Sequence, residues 1–221
     1  MSLLDSRLKT VLSLIPKDSI LLDVGTDHCK LPAEGLLCGR LAGAYAADVN
    51  QGPLQAARKQ LTALGLADRI PLYLSDGLKS IPAETMERVT AVAVAGMGGE
   101  LIESILRGTP KEPPLWILQP MSAVYELLDF MAQNGYALLN AALARDGEKF
   151  YRVLAVQKTG IPYPVDYFEA FRKDPLYLPY LEKEEARLTA ALRGLESARV
   201  PDEQRYAETR RLLDCIRKAK I

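Results

Sequence analysis

The chain has 221 residues, of which 48% are hydrophobic and 25% are charged. Lys plus Arg and Asp plus Glu each total 28, so no overall charge favours nucleic acid or a membrane surface, and any basic surface is local. No run of about 18 apolar residues is present, and charges near the N-terminus argue against a signal peptide, so we expect a cytoplasmic protein with no membrane partner.

The first 160 residues have the pattern of an α/β domain. An amphipathic helix is predicted first, because apolar residues recur at helical spacing at Leu4, Leu8, Val11, Leu12 and Ile15 before Pro16. Short apolar runs then alternate with helical patterns, which is typical of successive βα units. Strands are predicted at 20–24, 44–48, 70–74, 91–95, 115–119, 136–144 and 150–157. The last two flank the hairpin dipeptide Asp146-Gly147, so we expect five parallel strands closed by an antiparallel pair.

Residues 161–221 differ in composition and predict a helical hairpin. They contain 12 Lys or Arg and 11 Asp or Glu residues, a denser charge than in residues 1–160. One apolar seam is formed by Leu181, Leu188, Leu192 and Leu195, and a second by Tyr206, Leu213 and Ile216. Val200-Pro201 separates the two helices. We therefore expect a domain at 1–160 and a helical, coiled-coil-like tail at 161–221.

The turn after the first strand is the most informative segment. Two carboxylates, Asp23 and Asp27, flank a single glycine, Gly25, where a dinucleotide-binding turn would be rich in glycine. Like charges near a diphosphate would be repulsive, so a cationic or zwitterionic ligand such as S-adenosylmethionine fits better. The alternative is an ordinary tight turn with solvated acids.

The next two strands end in further acidic residues. Asp48, followed by Val49, ends the second strand, where a carboxylate can accept hydrogen bonds from two ribose hydroxyls or cap the next helix. Asp76-Gly77 follows the third strand, where the carboxylate can accept from an adenine amine and the glycine can admit the ring, although an unremarkable turn is the alternative.

Glycines and an amide follow the fourth and fifth strands. Gly96, Gly98 and Gly99 would let the backbone approach a ligand and would expose N–H groups at the start of a helix near Glu100. Met97 is a contact candidate or core filler. Gln119-Pro120 puts an amide at the same rim, to bind a base edge or to serve as a buried structural Gln.

Metal chemistry and hydrolysis are not expected. His28 is the single histidine, and Cys29, Cys38 and Cys215 lack the paired spacing of a zinc site. His28 could orient a substrate or cap a turn. Basic residues near both ends, among them Arg7, could contact phosphates, although a solvated face is the default for such side chains.

The combination of motifs resembles a known family. It comprises S-R-L at 6–8, I-P at 15–16, L-D-V-G-T-D-H at 22–28, L-P at 31–32, A-D-V at 47–49, G-P at 52–53, S-D-G-L at 75–78, A-G-M-G-G at 95–99, L-Q-P at 118–120 and D-G at 146–147. This set resembles the bacterial tRNA (adenine-N1)-methyltransferases of the TrmK type, which act on adenosine 22. The resemblance implies a class I, Rossmann-like methyltransferase sheet with an antiparallel C-terminal hairpin and a helical tail, S-adenosylmethionine as cofactor and tRNA as partner.

Carried over by position, the resemblance implies that Asp27 is catalytic. The predicted cofactor contacts are Asp23, Gly25, Asp48, Val49, Asp76, Gly77, Gly96 and Met97, and the predicted substrate contacts are Arg7, His28, Gly98, Gly99, Gln119 and Pro120. The chain departs from the family pattern at three points: Cys29-Lys30 replaces a segment that often ends in an aromatic residue, Met121 replaces a frequent Asn, and Asp48 replaces a frequent Glu.

The expected reaction needs positioning more than a strong base. Adenine N1 has a lone pair at neutral pH, and a carboxylate such as Asp27 would stabilise the charge that spreads to N6 and accept a proton there. Rival hypotheses are a methyltransferase with another acceptor, a non-catalytic S-adenosylmethionine-binding RNA-interaction protein and, least favoured, a nicotinamide dehydrogenase. We expect a monomer.

Overall fold

The computed structural model describes residues 2–198, 200 and 202–221. The chain separates into two compact units, the first ending at Val165 and the second running from Asp166 to Ile221. The change in composition after Gly160 lies close to this division.

The first unit is built on one seven-stranded sheet. Its strands are β1 (Ser19–Val24), β2 (Leu41–Asp48), β3 (Leu72–Leu74), β4 (Ala91–Gly98), β5 (Trp116–Ser122), β6 (Tyr136–Asp146) and β7 (Lys149–Lys158). They lie in the order β3-β2-β1-β4-β5-β7-β6, with β1 to β5 parallel and β7 antiparallel to both of its neighbours. The predicted α/β sheet with an antiparallel C-terminal hairpin is therefore confirmed.

One helix precedes β1, and a helix follows each of the strands β1 to β5. They are α1 (Ser6–Leu14), α2 (Lys30–Leu37), α3 (Gln51–Ala63), α4 (Ala83–Arg88), α5 (Gly99–Arg107) and α6 (Val124–Gln133). The central strands are buried along most of their length, as in β4, where Ala91–Val94 are fully buried. Burial of both sheet faces explains why these strands read as continuous apolar runs.

Helix α1 is held against the sheet by its apolar side. The Asp5 carboxylate caps it by accepting a hydrogen bond from the Leu8 backbone N–H at 2.7 Å. Val11 and Leu12 are buried, and the helix contacts β5, β6 and β7. The predicted amphipathic helix is confirmed, and its docking places the first turn of α1 near the carboxyl ends of the parallel strands.

The second unit contains a 3-10 turn at Glu169–Phe171 and two helices that pack on each other, α7 (Tyr177–Glu196) and α8 (Glu203–Ala219). In the predicted seams, Leu181, Leu188, Leu213 and Ile216 are buried, whereas Leu192, Leu195 and Tyr206 are half-buried. Asp202 caps α8 by accepting from the Arg205 backbone N–H at 3.0 Å. Val200 lies between the helices, and Pro201 lies outside the described residues.

Candidate active site

A cavity of about 250 Å³ opens at the carboxyl end of β1, beside the first turn of α1. Its charged and turn residues are Asp5, Arg7, Asp23, Gly25, Asp27 and Lys30. The structure thus brings four predicted site residues, Arg7, Asp23, Gly25 and Asp27, to one place. Asp5 and Lys30 were not predicted to line this cavity. They do so because α1 and α2 both begin beside the carboxyl end of β1.

Asp23 is the buried acid of the cavity. It lies near the end of β1 with 7% of its surface exposed, and the Thr26 hydroxyl donates to its carboxylate at 2.6 Å. Burial raises the pKa of Asp23 to about 6, against the lowering effects of the Thr26 hydrogen bond and the Arg7 charge. The negative charge of Asp48 raises it further. Asp23 is therefore ionised at neutral pH and becomes protonated as the pH falls through about 6.

Asp27 has the opposite environment, although it lies in the same turn. Its side chain is 83% exposed, and its carboxylate lies 3.3 Å from His28 Nε2. His28 and Cys29 both have left-handed backbone, with φ of 56° and 53°. Such conformations are uncommon for residues other than glycine and are found preferentially at functional sites. The turn therefore presents Asp27 and His28 outward.

Cys29 closes the base of this turn. It is fully buried at the start of α2. Burial raises the pKa of the Cys29 thiol to about 12, and the Asp23 charge raises it as well. The thiol is therefore protonated and packs as a small apolar group.

Gly25 and Met97 meet across the cavity wall. Gly25 has φ of 74°, a conformation that favours glycine. A Cβ atom at Gly25 would also overlap the terminal methyl group of Met97, on β4. Two predicted cofactor contacts are thus neighbours, and the half-buried Met97 side chain covers the glycine of the first turn.

The predicted rim residues on β4 and β5 are largely engaged inside the protein. Gln119 is fully buried, and its side-chain oxygen accepts from Arg7 Nη1 at 2.7 Å and from the Gly96 N–H at 3.0 Å. Pro120 is buried, and its carbonyl accepts from Gln119 Nε2 at 2.9 Å. In this arrangement Gln119 and Pro120 are turned inward, and their substrate contacts stay predictions.

Gly98 and Gly99 begin α5, close to the predicted helix start. Gly98 occupies the N-cap position. A Cβ atom at Gly99 would contact the backbone oxygens of Ser122 and Ala123, so only glycine fits without a shift. This packing is a structural reason for Gly99, and substrate contact at the two glycines stays a prediction.

The ends of β2 and β3 form a more open surface. Asp48 is 9% exposed and accepts from the Asn50 N–H at 2.8 Å, so it closes the turn before α3. Val49 is 61% exposed, and Leu74, the register partner of Asp48, is 48% exposed. Val49 was among the predicted cofactor contacts, whereas Leu74 was not, because a single leucine in a short strand carries no distinctive pattern.

Asp76 and Gly77 follow β3. The exposed Asp76 carboxylate pairs with Lys79 Nζ at 2.6 Å. Gly77 is buried, and a Cβ atom there would lie 3.3 Å from Ile105. To bind an adenine amine, the Asp76 carboxylate must either give up its ion pair with Lys79 or accept from both groups at once.

Within residues 2–198, 200 and 202–221, no group of three or more His, Cys, Asp or Glu side chains is arranged to hold a metal ion. The three cysteines are free thiols. No helix in that part of the chain is both long and apolar enough for a membrane span.

Comparisons with known sequences agree on one enzyme family. A family model described as a methyltransferase domain matches residues 4–154. The tRNA (adenine(22)-N(1))-methyltransferase of Bacillus subtilis is 33% identical over 159 residues, which are 70% of this chain and 65% of that protein. The match therefore spans slightly less than two thirds of that relative's length.

Solved structures extend the similarity over nearly the whole chain. The M. capricolum TrmK in complex with S-adenosyl-homocysteine has a TM-score of 0.80 and 27% identity, covering 98% of this chain and 97% of that one. A putative tRNA (m1A22) methyltransferase of Streptococcus pneumoniae, in complex with S-adenosyl-L-methionine, has a TM-score of 0.80 and 28% identity. That comparison covers 98% of this chain and 99% of the other.

Proposed function

Because the chain belongs to the methyltransferase-domain family and is similar to tRNA (adenine(22)-N1)-methyltransferases of the TrmK type, we infer that it transfers a methyl group from S-adenosylmethionine to N1 of adenosine 22 in tRNA. The observation that carries this inference is the cavity at the end of β1, which combines buried Asp23, exposed Asp27 and the cation Arg7.

The charges of the cavity fit the amino-acid end of the cofactor. S-adenosylmethionine presents an ammonium group and a carboxylate, and the cavity offers Asp23 to the first and the cations Arg7 and Lys30 to the second. A diphosphate would instead meet three carboxylates, those of Asp5, Asp23 and Asp27. The donor set therefore favours a zwitterion over a dinucleotide.

Residues beyond the cavity would hold the nucleoside end. Asp48 would accept hydrogen bonds from the ribose hydroxyls with the carboxylate oxygen that does not bond Asn50. Val49 and Leu74 expose apolar surface beside Asp48, which suits the faces and edges of an adenine ring. Asp76 would accept from the exocyclic amine with the carboxylate oxygen that does not bond Lys79.

The bound cofactor supplies an electrophilic methyl group on a sulfonium. Adenine N1 already has a lone pair, so the protein needs no base to generate the nucleophile. As N1 gains the methyl group, positive charge spreads toward N6, and the exposed carboxylate of Asp27 would stabilise that charge and accept a proton from N6. The outward turn containing His28 keeps this carboxylate accessible to a large substrate.

Binding of tRNA would use phosphate contacts and a displaced base. N1 lies on the pairing edge, so a stacked or paired adenosine must turn out, which costs a few kcal/mol. On α8, Arg205, Arg210 and Lys218 are exposed, whereas Arg217 and, just after the helix, Lys220 are ion-paired with Glu185. The exposed set would contact the tRNA backbone, with the protein acting as a monomer.

The test is methylation of unmodified tRNA with labelled S-adenosylmethionine, followed by reverse transcription. Because N1 methylation blocks base pairing, we expect label incorporation and a new stop at adenosine 22. A tRNA with guanosine at that position is the matched control and should accept no label. Label without the stop would indicate another acceptor atom or site, and cofactor binding without label would indicate a non-catalytic protein.

A further inference from the structure

The last residues of β4 depart from regular pairing with β5. Ala95 pairs with Gln119, Met97 with Pro120 and Gly98 with Ser122, with register shifts on both sides of Met97. The residue inserted between Ala95 and Met97 is Gly96, which has φ of 81°. This is a β-bulge, a feature that re-aims side chains and is frequent beside active sites. We call residues 95–98 the β4 bulge.

A side chain, Gln119, stabilises the β4 bulge. The Gly96 N–H donates to Gln119 Oε1 at 3.0 Å, and Arg7 Nη1 donates to the same oxygen at 2.7 Å. Gln119 Nε2 donates to the Pro120 carbonyl at 2.9 Å. A carboxamide oxygen has two lone pairs, and both are used here. The residue is also fully buried, so its oxygen is unavailable to a ligand.

The two donors that share this oxygen come from two different elements, α1 and the β4 bulge. Arg7 belongs to α1, lines the cavity and acts electrostatically on Asp23. Gly96 precedes Met97, whose side chain covers Gly25. The packing is tight, because a Cβ atom at Gly96 would lie 3.2 Å from Arg7 Nη1. The side-chain amide of Gln119 therefore joins α1 to the β4 bulge, and Met97 of that bulge covers Gly25 in the turn after β1.

We propose that Gln119 is a positioning residue, which fixes Arg7 and the β4 bulge around the cofactor cavity without contacting the cofactor or the target base. This inference deepens the proposed function and rests on it for the identity of the ligand. If Gln119 is a positioning residue, its substitution should weaken cofactor affinity. If it contacted the target base directly, its substitution would instead weaken the use of tRNA.

The first test needs no ligand. We expect the amides of residues 96–99 to exchange with deuterium at least about fivefold faster in Gln119→Leu than in the wild type, because one hydrogen bond is lost. Gln119→Glu keeps the oxygen that accepts from both donors and, as the protonated acid, also keeps a donor for the Pro120 carbonyl, so it should restore slow exchange. Gln157→Leu, the same change at an exposed position of β7, should have no effect on that segment. Unchanged exchange at 96–99 in Gln119→Leu would overturn the proposal.

The second test measures the binding of S-adenosyl-homocysteine by calorimetry in Arg7→Met, Gln119→Leu and the double variant. We expect Gln119→Leu to weaken the binding of S-adenosyl-homocysteine about tenfold and to leave tRNA affinity unchanged. Because Gln119 acts partly through Arg7, adding Gln119→Leu to Arg7→Met should weaken cofactor binding by less than about tenfold. If Gln119→Leu does not fold, Gln119→Glu must keep binding within about threefold of the wild type.

The outcomes separate this proposal from the proposed function. Wild-type cofactor affinity in Gln119→Leu combined with weaker use of tRNA would contradict a positioning role and support a direct base contact. If the losses of cofactor affinity in Arg7→Met and Gln119→Leu simply multiply in the double variant, Gln119 does not act through Arg7. Absence of tRNA methylation by the wild type would instead overturn the proposed function, and the exchange result would still decide whether Gln119 holds the β4 bulge.

Discussion

The two halves of the sheet edge at the candidate site are built differently. At the ends of β1, β4 and β5, polar groups already have partners: Asp23 bonds Thr26, and Gln119 bonds Arg7 and Gly96. At the ends of β2 and β3, apolar side chains are exposed to solvent, and the Asp76 carboxylate pairs with an exposed lysine. We refer to these as the polar half and the open half.

This difference separates positions that are set by folding from positions that a ligand must complete. Buried hydrogen bonds between side chains fix the polar half before any ligand arrives, so that substitutions there should change affinity or rate strongly. Exposed apolar side chains gain burial only on binding, and each contributes a small area. The following variants test the contrast.

Substitution of Asp27 should have the largest effect. Asp27 is the exposed acid of the polar half, so removing it should spare folding and cofactor binding. We expect Asp27→Ala to lower the single-turnover rate about 100-fold or more, because a charge-stabilising group is lost, while the cofactor Kd changes less than about threefold. Asp68→Ala, at another exposed acid in a connecting loop, is the control. Wild-type turnover in Asp27→Ala would remove Asp27 from the chemistry.

Asp48 lies in the open half but is buried, and its substitution should rank second. Loss of hydrogen bonds from a charged acceptor to two ribose hydroxyls predicts cofactor binding weaker by about 10- to 100-fold in Asp48→Ala. Affinity for tRNA should not change. Asp48→Asn keeps the bond from the Asn50 N–H and separates the role in the turn from the role in binding. Equal cofactor affinity in Asp48→Asn and wild type would mean that the Asp48 charge does not contribute to binding and that the residue serves only the turn before α3.

Titration of Asp23 gives a pH-dependent prediction. If Asp23 binds the cofactor ammonium, affinity requires its ionised form, whose pKa burial raises to about 6. Cofactor affinity should therefore rise about tenfold from about pH 5 to about pH 7 and then level off. In Asp23→Asn the affinity should be lower and independent of pH over that range. A wild-type profile that is flat would contradict the contact.

The same group should affect stability with the opposite sign. Because the raised pKa favours the protonated form in the folded state, the stabilising contribution of Asp23 is full below its ordinary pKa and is lost as the pH rises through about 6. The free energy of unfolding of ligand-free wild type should thus fall relative to Asp23→Asn between about pH 4 and about pH 7, by at most roughly 3 kcal/mol. Denaturant titrations at both ends of this range measure the difference.

The architecture and the polar half were largely predictable from sequence. All seven strands were located, because buried parallel strands read as apolar runs and Asp146-Gly147 marks the hairpin. The acidic turn was recognised because two carboxylates around Gly25 are unusual where a phosphate would bind. Their different environments were not predictable, because neighbours in sequence differ in burial only once α1 and α2 pack over the edge.

The β4 bulge and the inward orientation of Gln119 lay beyond the sequence pattern. Residues 96–99 were predicted as a glycine-rich segment that lets the backbone approach a ligand, whereas β4 continues through Gly98, and a side chain from β5 bonds the inserted residue. Gln119 was equally consistent with a base contact and with a buried role. The choice depends on Arg7, which is 112 residues away in the chain and reaches Gln119 only through the docking of α1.

Substitutions of exposed apolar residues in the open half should have the smallest effects. Val49→Ala removes two methyl groups that become buried only when a ring packs on them, so cofactor binding should weaken about two- to fivefold. Val200→Ala, the same change at an exposed position of the second unit, should leave binding unchanged. Burial of two methyl groups at the edge of a ligand cannot account for more than about a tenfold change in cofactor affinity. A larger loss in Val49→Ala would therefore mean that the open half is as preorganised as the polar half.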